Sequence, residues 1–390
     1  MATDEPAAEA PECKPAEVPT ILLQFTKGED WQESPKKMRE SVSAMVRSGD
    51  VLWVASDQTA SVERLVADDE DNPTVYGDHR SFRLTDFVAL PQGDEEVDLE
   101  GIDLQWVAPN ANVGYLWLVG SHSWVRGKVD KDVTPDVAIG ELQKVTLDRN
   151  RCVLIRIPVR REPGGLPMLV DNCPDPRKPS ATLAAGLLTE LDAAIAGDEH
   201  LGLFSSVRRG GGLPAVPGKD NGVDIEGLAV SDDRVFVGMR GPVLRGWAVV
   251  LQLAVDVDQS ASGALRLRPT DDGRPFRKFF LDLGGLGVRE LIPDGSDLLV
   301  LAGPTMVLDG PVRVHRWLNG ATGSADPLVR RSQLPKVKDI PYGDDADHAE
   351  GITLLTRTNA ESSLLVTYDS PAERRIQTKG AVQIDRFPWP

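Results

Sequence analysis

One short motif occurs three times in the sequence: Asp98-Leu99-Glu100-Gly101-Ile102, Asp224-Ile225-Glu226-Gly227-Leu228 and His348-Ala349-Glu350-Gly351-Ile352. In each copy a Glu-Gly pair opens an apolar stretch, which is followed by a polar turn and a second apolar stretch. The second stretches are Tyr115–Gly120, Val235–Gly238 and Ser363–Tyr368. The motif therefore predicts the beginning of a strand pair that recurs along the chain.

Two weaker copies extend the pattern: Met38-Arg39-Glu40-Ser41 before the apolar stretch Val51–Ser56, and Val288-Arg289-Glu290-Leu291 before Leu298–Ala302. Three of the four intervals between successive copies are 60 to 63 residues long. A unit of about 60 residues with four short strands is somewhat longer than the blades of known propeller repeats, which have about 40–50 residues. Chance Glu-Gly pairs in a β-sandwich are the alternative, but three copies that each precede a strand pair favour an all-β propeller.

The interval from Glu100 to Glu226 is twice as long and contains either an insertion or a further blade. We favour an insertion at about residues 160–215, because apolar residues at helical spacing between Ser180 and Gly197 predict a capped amphipathic helix over Thr182–Ala196. This is the one substantial helix that the sequence predicts. Five blades are therefore expected, with six as the alternative. The propeller domain is expected to span residues 19–390, after a disordered tail at residues 1–18 that is rich in Pro and Glu.

Composition excludes several classes of function. The formal net charge is −17, so the chain would repel nucleic acids and anionic membranes. The cysteines, Cys13, Cys152 and Cys173, have no CxxC spacing and no histidine at a metal-ligand interval. No secretory signal and no apolar run long enough to span a bilayer is visible. We therefore expect a cytoplasmic, bacterial protein that acts on a small molecule or on a protein partner at the propeller face.

Propeller closure is expected to involve both ends of this domain. Thr20–Phe25 is the first strand signal, and it precedes the first motif. A ring of blades must satisfy its first and last sheet edges. Thr20–Phe25 is therefore predicted to pair with the last blade, in which Ala381–Phe387 would be an outer strand.

The first strand of each propeller blade lines the central channel, so equivalent residues of the blades form a ring. Glu100, Glu226 and Glu350 are predicted members, with Glu40 as the fourth and Arg289 (or Glu290 if the register slips by one) as the fifth. An oxygen-rich ring suits Ca²⁺ or Mg²⁺, which would relieve the repulsion between carboxylates. An arginine in the ring could neutralise part of the charge or hold an anionic ligand group. The alternative is a scaffold role, in which each Glu accepts backbone hydrogen bonds from the neighbouring blade.

A second set of residues follows the second strands: Asp57, His122, Arg240, Pro304 and Asp369. His122 stands between two serines and is a candidate general base or metal ligand. Arg240, with Arg245 nearby, could clamp a phosphate or carboxylate. His122, Arg240 and Arg289 are thus the candidate catalytic residues, although surface or scaffold roles remain the alternative for each.

Motifs in the second half of the chain resemble those of a bacterial β-propeller family of unknown function, namely Asp224–Leu228 with Val237–Pro242, and Leu281–Arg289. The resemblance runs from about Ile21 to Phe387, except around the predicted helix. The Glu-Gly motifs are also similar to those of esterase-like phytase propellers and calcium-dependent lactonase propellers. In the lactonases an inner-strand Glu binds the catalytic metal, which implies that role for Glu100, Glu226 or Glu350. This sequence departs from the lactonases by lacking matched Asn and Asp partners.

Two functional hypotheses follow. The first is a hydrolase of an ester, lactone or phosphoester that depends on a divalent metal in the central channel. The second is a non-enzymatic propeller that binds a small ligand or a protein on one face, with a structural acidic ring. Activity that a chelator abolishes would favour the first hypothesis.

Overall fold

The structure is a computed structural model that describes residues 18–26, 35–108, 111–130, 132–171, 180–183, 189–205, 207, 215–258, 263–323, 326–343, 345–356, 361–378 and 380–389. The predictions for residues 1–17, including Cys13, and those for Cys173, Leu187 and Leu188 lie outside these ranges. Strands dominate the described residues, and they pair mainly in antiparallel fashion.

The described strands group into five units of four main strands, here called blades 1 to 5. Blade 1 contains Val42–Ser48, Val51–Ser56, Ser61–Ala67 and Val75–Arg83. Blade 2 contains Leu99–Trp106, Val113–Gly120, Leu154–Arg161 and Pro167–Leu169, with Ala181–Thr182 beside its third strand. Blade 3 contains Asp224–Ser231, Arg234–Leu244, Trp247–Val257 and Arg277–Leu281, with the short strands Leu265–Arg268 and Leu328–Val329.

Blade 4 contains Gly287–Asp294, Asp297–Gly303, Val312–Trp317 and Lys336–Ile340. Blade 5 contains His348–Leu355, Ser363–Asp369, Ala381–Pro388 and the N-terminal strand Thr20–Gln24, with Ile376–Thr378 at the side. The strands Val125–Arg126 and Val145–Thr146 pair with each other outside the blades. All the second strands that the sequence predicted are present, so the assignment of strand pairs to the motifs is confirmed.

The five first strands surround a common axis. Each contacts the first strand of the next blade, and the first strand of blade 5 contacts that of blade 1. Five hydrophobic clusters fill the spaces between neighbouring blades; one of them joins Trp53 of blade 1 to Leu118 of blade 2. Apolar side chains on both faces of each sheet are thus removed from water, as in a propeller. The predicted fold class, an all-β propeller, is confirmed.

The N-terminal strand closes the ring as predicted. Thr20–Gln24 pairs in antiparallel fashion with residues 381–385 of blade 5. Leu22 and Leu23 also pair, in parallel, with Val75 and Tyr76 at the outer edge of blade 1. The strand therefore covers two sheet edges that would otherwise be open.

The described residues contain three α-helices: Pro35–Glu40, Pro135–Gln143 and Glu190–Ala196. The prediction of a single substantial helix was therefore wrong. Its predicted beginning was also wrong, because Ala181–Thr182 is a strand and the helix is capped by Thr189, whose hydroxyl accepts from the Asp192 amide. Short 3₁₀ helices span Leu84–Asp86, Arg149–Arg151, Gly218–Asp220, Gly320–Thr322, Arg331–Gln333 and Glu373–Arg375. Among the described helices, none combines the length and the apolar character required to cross a membrane.

Two long connections belong to blade 2: residues 121–153 follow its second strand, and residues 170–223 lead to blade 3. Successive strands of a blade are antiparallel. The last residues of the second and fourth strands therefore lie on the same side of the blade as the first residue of the first strand. Both connections therefore leave the blade at the end of the ring where the Glu-Gly motifs lie.

Candidate functional site

Each first strand has an irregularity in its pairing near its beginning. The residue that interrupts the ladder is Ser43 in blade 1, Glu100 in blade 2, Glu226 in blade 3, Arg289 in blade 4 and Glu350 in blade 5. A β-bulge re-aims the side chain of its extra residue and is common next to functional sites. The residues at this equivalent position in the five blades therefore form the predicted ring, except that Ser43 replaces the predicted Glu40.

Glu40 is not a member of this ring, which corrects the sequence prediction. It ends the helix Pro35–Glu40, and its carboxylate pairs with Arg39 at 3.0 Å. Ser43 takes the position instead, and its hydroxyl donates to the Leu99 carbonyl of blade 2. The error has a simple cause: blade 1 carries no Glu-Gly pair, and the nearest glutamate lies three residues too early.

The glycine after the ring glutamate permits close packing of neighbouring first strands. A Cβ atom on Gly101 would lie 2.7 Å from Leu228 Cβ in the first strand of blade 3. Real Cβ atoms are not found at such a distance, so this glycine holds the blades close together around the axis.

Carboxylates in or directly beside the beginnings of the first strands and the ends of the second strands meet at one end of the ring, and we call this group the acidic mouth. Its members are Asp57, Asp98, Glu100, Asp224, Glu226, Glu350 and Asp369. Their charges interact. Burial raises the pKa of Glu100, and the negative charges of four other members raise it further, namely Asp98, Glu226, Glu350 and Asp57. The sequence prediction that Glu100, Glu226 and Glu350 converge thus agrees with the structure.

Arginines neutralise the side of the mouth formed by blades 3, 4 and 5. Arg289 Nε lies 3.1 Å from Glu226 Oε2, and Arg289 Nη2 donates to Glu350 Oε1 at 2.5 Å. Arg240 Nη1 donates to Glu226 Oε1 at 2.8 Å and lies 3.8 Å from Asp224 Oδ2. These five side chains are buried. Arg289 therefore joins three blades through paired charges, which compensate one another in a poorly solvated place.

On the side formed by blades 1 and 2, Arg151 pairs with Asp98, but Glu100 and Asp57 have no such partner among the described residues. No hydrogen bond or ion pair with the described residues involves the Glu100 carboxylate, and burial raises its pKa well above the ordinary value. Asp57 Oδ1 is buried and accepts no hydrogen bond from the described residues. Burial, followed by the charge of Asp369, raises the pKa of Asp57 to about 8. These two carboxyl groups therefore resist ionisation unless a positive charge joins them.

Two further carboxylates precede the ring glutamates within the motif. Burial raises the pKa of Asp98, although the Arg151 guanidinium that pairs with it opposes the rise. Burial raises the pKa of Asp224 to about 7, again against the effect of an arginine, Arg240. Sequence analysis recognised both aspartates as parts of the motif but did not assign them to the site. Their position two residues before the ring glutamate was the signal that could have assigned them to the site.

His122 does not face the acidic mouth. Its Nδ1 lies 3.0 Å from Asp192 Oδ1 on the helix Glu190–Ala196, and both side chains are fully buried. Burial would raise the pKa of Asp192, but the His122 charge and hydrogen bond lower it overall. The buried Cys152 lies close to the pair. His122 therefore attaches the connection before blade 3 to blade 2, and the proposed role as a base at the mouth loses its geometric support.

The carboxylate oxygens on the blade 1 and blade 2 side are hard ligands of the kind that Ca²⁺ and Mg²⁺ prefer. Asp57 and Glu100 form no ion pair or hydrogen bond with the described residues, and Asp369 of blade 5 contributes further negative charge beside Asp57. The donor set thus fits the divalent cation that the resemblance to lactonase propellers implies. Arg240 and Arg289, in contrast, are already committed to Glu226, Asp224 and Glu350.

Comparison with known proteins places the chain in a family without an assigned activity. Residues 41–385 match the profile of a family described as "Protein of unknown function (DUF3616)". A search of curated proteins finds no match.

Solved structures with similarity to this chain include three enzymes. The aldose sugar dehydrogenase of Streptomyces coelicolor is 12% identical, with a TM-score of 0.36, over 95% of this chain and 99% of that chain. Virginiamycin B lyase of Staphylococcus aureus is 10% identical, with a TM-score of 0.35, over 96% and 100%. An exo-1,5-alpha-L-arabinanase from a bovine ruminal metagenomic library is 10% identical, with a TM-score of 0.35, over 90% and 93%. At these scores no activity is transferred to this chain.

Proposed function

The chain belongs to the DUF3616 family, and from that premise we propose that its acidic mouth binds a divalent cation, Ca²⁺ or Mg²⁺, and hydrolyses an ester, lactone or phosphoester. The observation that carries the proposal is the pair of carboxyl groups, Asp57 and Glu100, which meet at the mouth without an ion pair or hydrogen bond to any described residue. Leaving them uncompensated costs free energy. A bound cation would offset that cost.

Asp57, Glu100 and Asp369 are the proposed ligands. Glu350 is a further proposed ligand through its Oε2, because Arg289 pairs only with its Oε1. These oxygens would hold the cation, which would supply Lewis acidity and would make a water molecule more acidic. Asp224 is the proposed proton acceptor, since a carboxyl group whose pKa is raised to about 7 exchanges protons near neutral pH.

The experiment measures cation binding first and hydrolysis second. Purified full-length protein is titrated with Ca²⁺ and with Mg²⁺, and its melting temperature is recorded in each ion and in chelator. Binding should raise the melting temperature, since a ligand of the native state stabilises it. Generic ester, lactone and phosphoester substrates are then tested with and without chelator.

Glu100→Gln is the test variant and Glu40→Gln is the matched control, because Glu40 lies outside the ring. Glu100→Gln should remove the stabilisation by the cation, and Glu40→Gln should retain it. Identical melting temperatures of the parent protein in both ions and in chelator would refute the cation site. Hydrolysis that the chelator leaves unchanged would refute its role in catalysis.

A second candidate is the non-enzymatic propeller, and the Arg289 pairs favour it. Arg289 contacts Glu226 and Glu350 and so joins blades 3, 4 and 5. In this alternative the acidic ring is a structural element, and the ligand or protein partner binds elsewhere on the face. Cation binding without any hydrolysis, or the absence of both, would be expected.

A further inference from the structure

The proposed cation site leaves open which group would hold the anionic part of a substrate. Sequence analysis suggested Arg240 and Arg289. Both are buried and already paired with carboxylates. A group that is accessible and close to the mouth is required instead.

Lys219 meets both requirements. It lies in the 3₁₀ helix Gly218–Asp220, and its side chain is exposed. Its positive charge lowers the pKa values of Asp57, Asp98 and Asp224, which belong to blades 1, 2 and 3. Yet it makes no ion pair within 4 Å with any residue in the described part of the chain. Its three ammonium donors are therefore not used up by the described residues.

The loop that carries Lys219 is fixed against the mouth. The Gly218 amide donates to the Trp124 carbonyl at 2.9 Å. Asp220 pairs with Arg126 at 2.6 Å, and the Asn221 side chain accepts from the Val243 amide at 2.9 Å. These contacts attach the loop to the connection that follows the second strand of blade 2 on one side, and to the second strand of blade 3 on the other. The lysine is thus placed by a backbone that the neighbouring elements hold in position.

Gly218 brings this backbone into direct contact with the acidic mouth. A Cβ atom at Gly218 would lie 2.8 Å from Asp224 Oδ2 and 2.8 Å from Ser123 Cβ. A larger residue at position 218 would therefore displace the Asp224 carboxylate, Ser123 or the loop that carries Lys219.

We propose that Lys219 binds the oxyanion of the substrate, and that the substrate is a phosphoester whose phosphate would be held by Lys219 together with the cation that the carboxylates would bind. The inference rests on the proposed function, because seven carboxylates would repel a phosphate that arrived without a cation. A lysine beside a metal ion is a common arrangement for phosphate recognition. Among the three substrate classes, the phosphoester alone carries the anionic group that this lysine would bind.

The test uses inorganic phosphate as the probe and full-length protein. Calorimetric titration gives the affinity for Ca²⁺ or Mg²⁺ alone and then the affinity for phosphate at a saturating concentration of the tighter cation. The variants are Lys219→Met, Lys219→Arg and Gly218→Ala. Lys336→Met is the control, because Lys336 is exposed on the outer strand of blade 4 and pairs there with Asp339.

Lys219→Met should lower the affinity for phosphate about ten-fold, since a charge-assisted contact is lost. It should not lower the affinity for the cation, which is expected to rise up to about three-fold because a like charge is removed. Lys219→Arg should stay within about three-fold of the parent protein for phosphate. Gly218→Ala should weaken phosphate binding although the lysine is still present.

The possible failures differ from one another. A parent protein that binds neither cation overturns the proposed function. A parent protein that binds a cation but no phosphate overturns the role of Lys219 alone. The same holds if Lys219→Met binds phosphate as Lys336→Met does, or if Lys219→Met loses affinity for the cation and the phosphate together.

Discussion

On the side of the mouth formed by blades 3, 4 and 5, arginines lie between the carboxylates, whereas Glu100 and Asp57 of blades 2 and 1 have no such partner in the described structure. Both sides gather negative charge around the same axis. Arg289 and Arg240 compensate it on one side. On the other side the pKa values of Glu100 and Asp57 are raised instead. The first arrangement suits a permanent joint between blades, and the second suits a charge that enters and leaves.

Removal of Arg289 should have the largest effect. Arg289→Met leaves buried Glu350 without its pairing cation, and breaking one partner of a buried pair costs about 3–5 kcal/mol. The melting temperature in chelator measures the loss. Arg331→Met is the control, because Arg331 is exposed and pairs with Asp282 at the surface. A loss no larger than that of Arg331→Met would show that the arginine side is not a structural joint.

Replacing one glutamate on each side should shift stability in opposite directions. Glu226→Gln weakens charge-assisted hydrogen bonds from two arginines and should lower stability by about 1.5–3 kcal/mol. Glu100→Gln should raise the stability of the protein in chelator, because burial of an ionisable carboxyl no longer opposes folding. Unfolding in urea measures both. Destabilisation by Glu100→Gln would mean that Glu100 is a scaffold residue after all.

The stability of the cation-free protein should depend on pH through the side formed by blades 1 and 2. The pKa of Asp57 is raised to about 8, so the folded protein holds a proton that the unfolded chain has released above about pH 4. Stability therefore falls between about pH 4 and pH 8, by about 1.4 kcal/mol per pH unit for each such group. Melting temperatures across this range should show the fall in chelator.

Two comparisons sharpen the pH experiment. Asp57→Asn should flatten the fall, and so should saturating Ca²⁺ or Mg²⁺, because the cation favours the ionised carboxylates. Asp233→Asn, at an exposed position, should leave the profile unchanged. If the cation does not alter the pH profile, the carboxyl groups with raised pKa values are not the ones that bind the cation.

Glu40→Gln should have the smallest effect. Glu40 lies at the end of a helix and pairs with the neighbouring Arg39, so the change should cost less than about 0.5 kcal/mol. Stabilisation by Ca²⁺ or Mg²⁺ should be unaffected in the melting experiment. Loss of that stabilisation would mean that Glu40, and not Ser43, is the blade 1 member of the ring.

The sequence predicted the fold well because the decisive signal repeats. Each Glu-Gly pair marks a bulge where neighbouring first strands pack closely, and an apolar second strand follows at a similar distance. Val51–Ser56, for example, has the predicted bounds. Blade 1 shows the limit of this signal. Ser43 occupies the bulge of blade 1 in place of a glutamate. No residue type in the sequence therefore indicated which residue of this strand belongs to the ring.

The remaining errors concern contacts across long sequence distances. His122 pairs with Asp192, 70 residues away, and nothing in the local Ser-His-Ser sequence indicates that partner. The helix Pro135–Gln143 has no buried residue, and so it lacks the apolar face by which a helix is recognised. The division of the mouth into two sides also depends on how neighbouring blades pack, since Arg289 meets Glu350 only when blades 4 and 5 are side by side.

The N-terminal strand Thr20–Gln24 has a consequence for biosynthesis. Its antiparallel partner, residues 381–385, leaves the ribosome about 360 residues later, so blade 5 must stay incomplete throughout translation. Its parallel partners, Val75 and Tyr76, emerge much sooner. During synthesis the strand can dock on blade 1 and shield both its own apolar side chains, such as Ile21 and Leu23, and the edge of that blade. The same strand thus protects the nascent chain at first and completes the ring at the end.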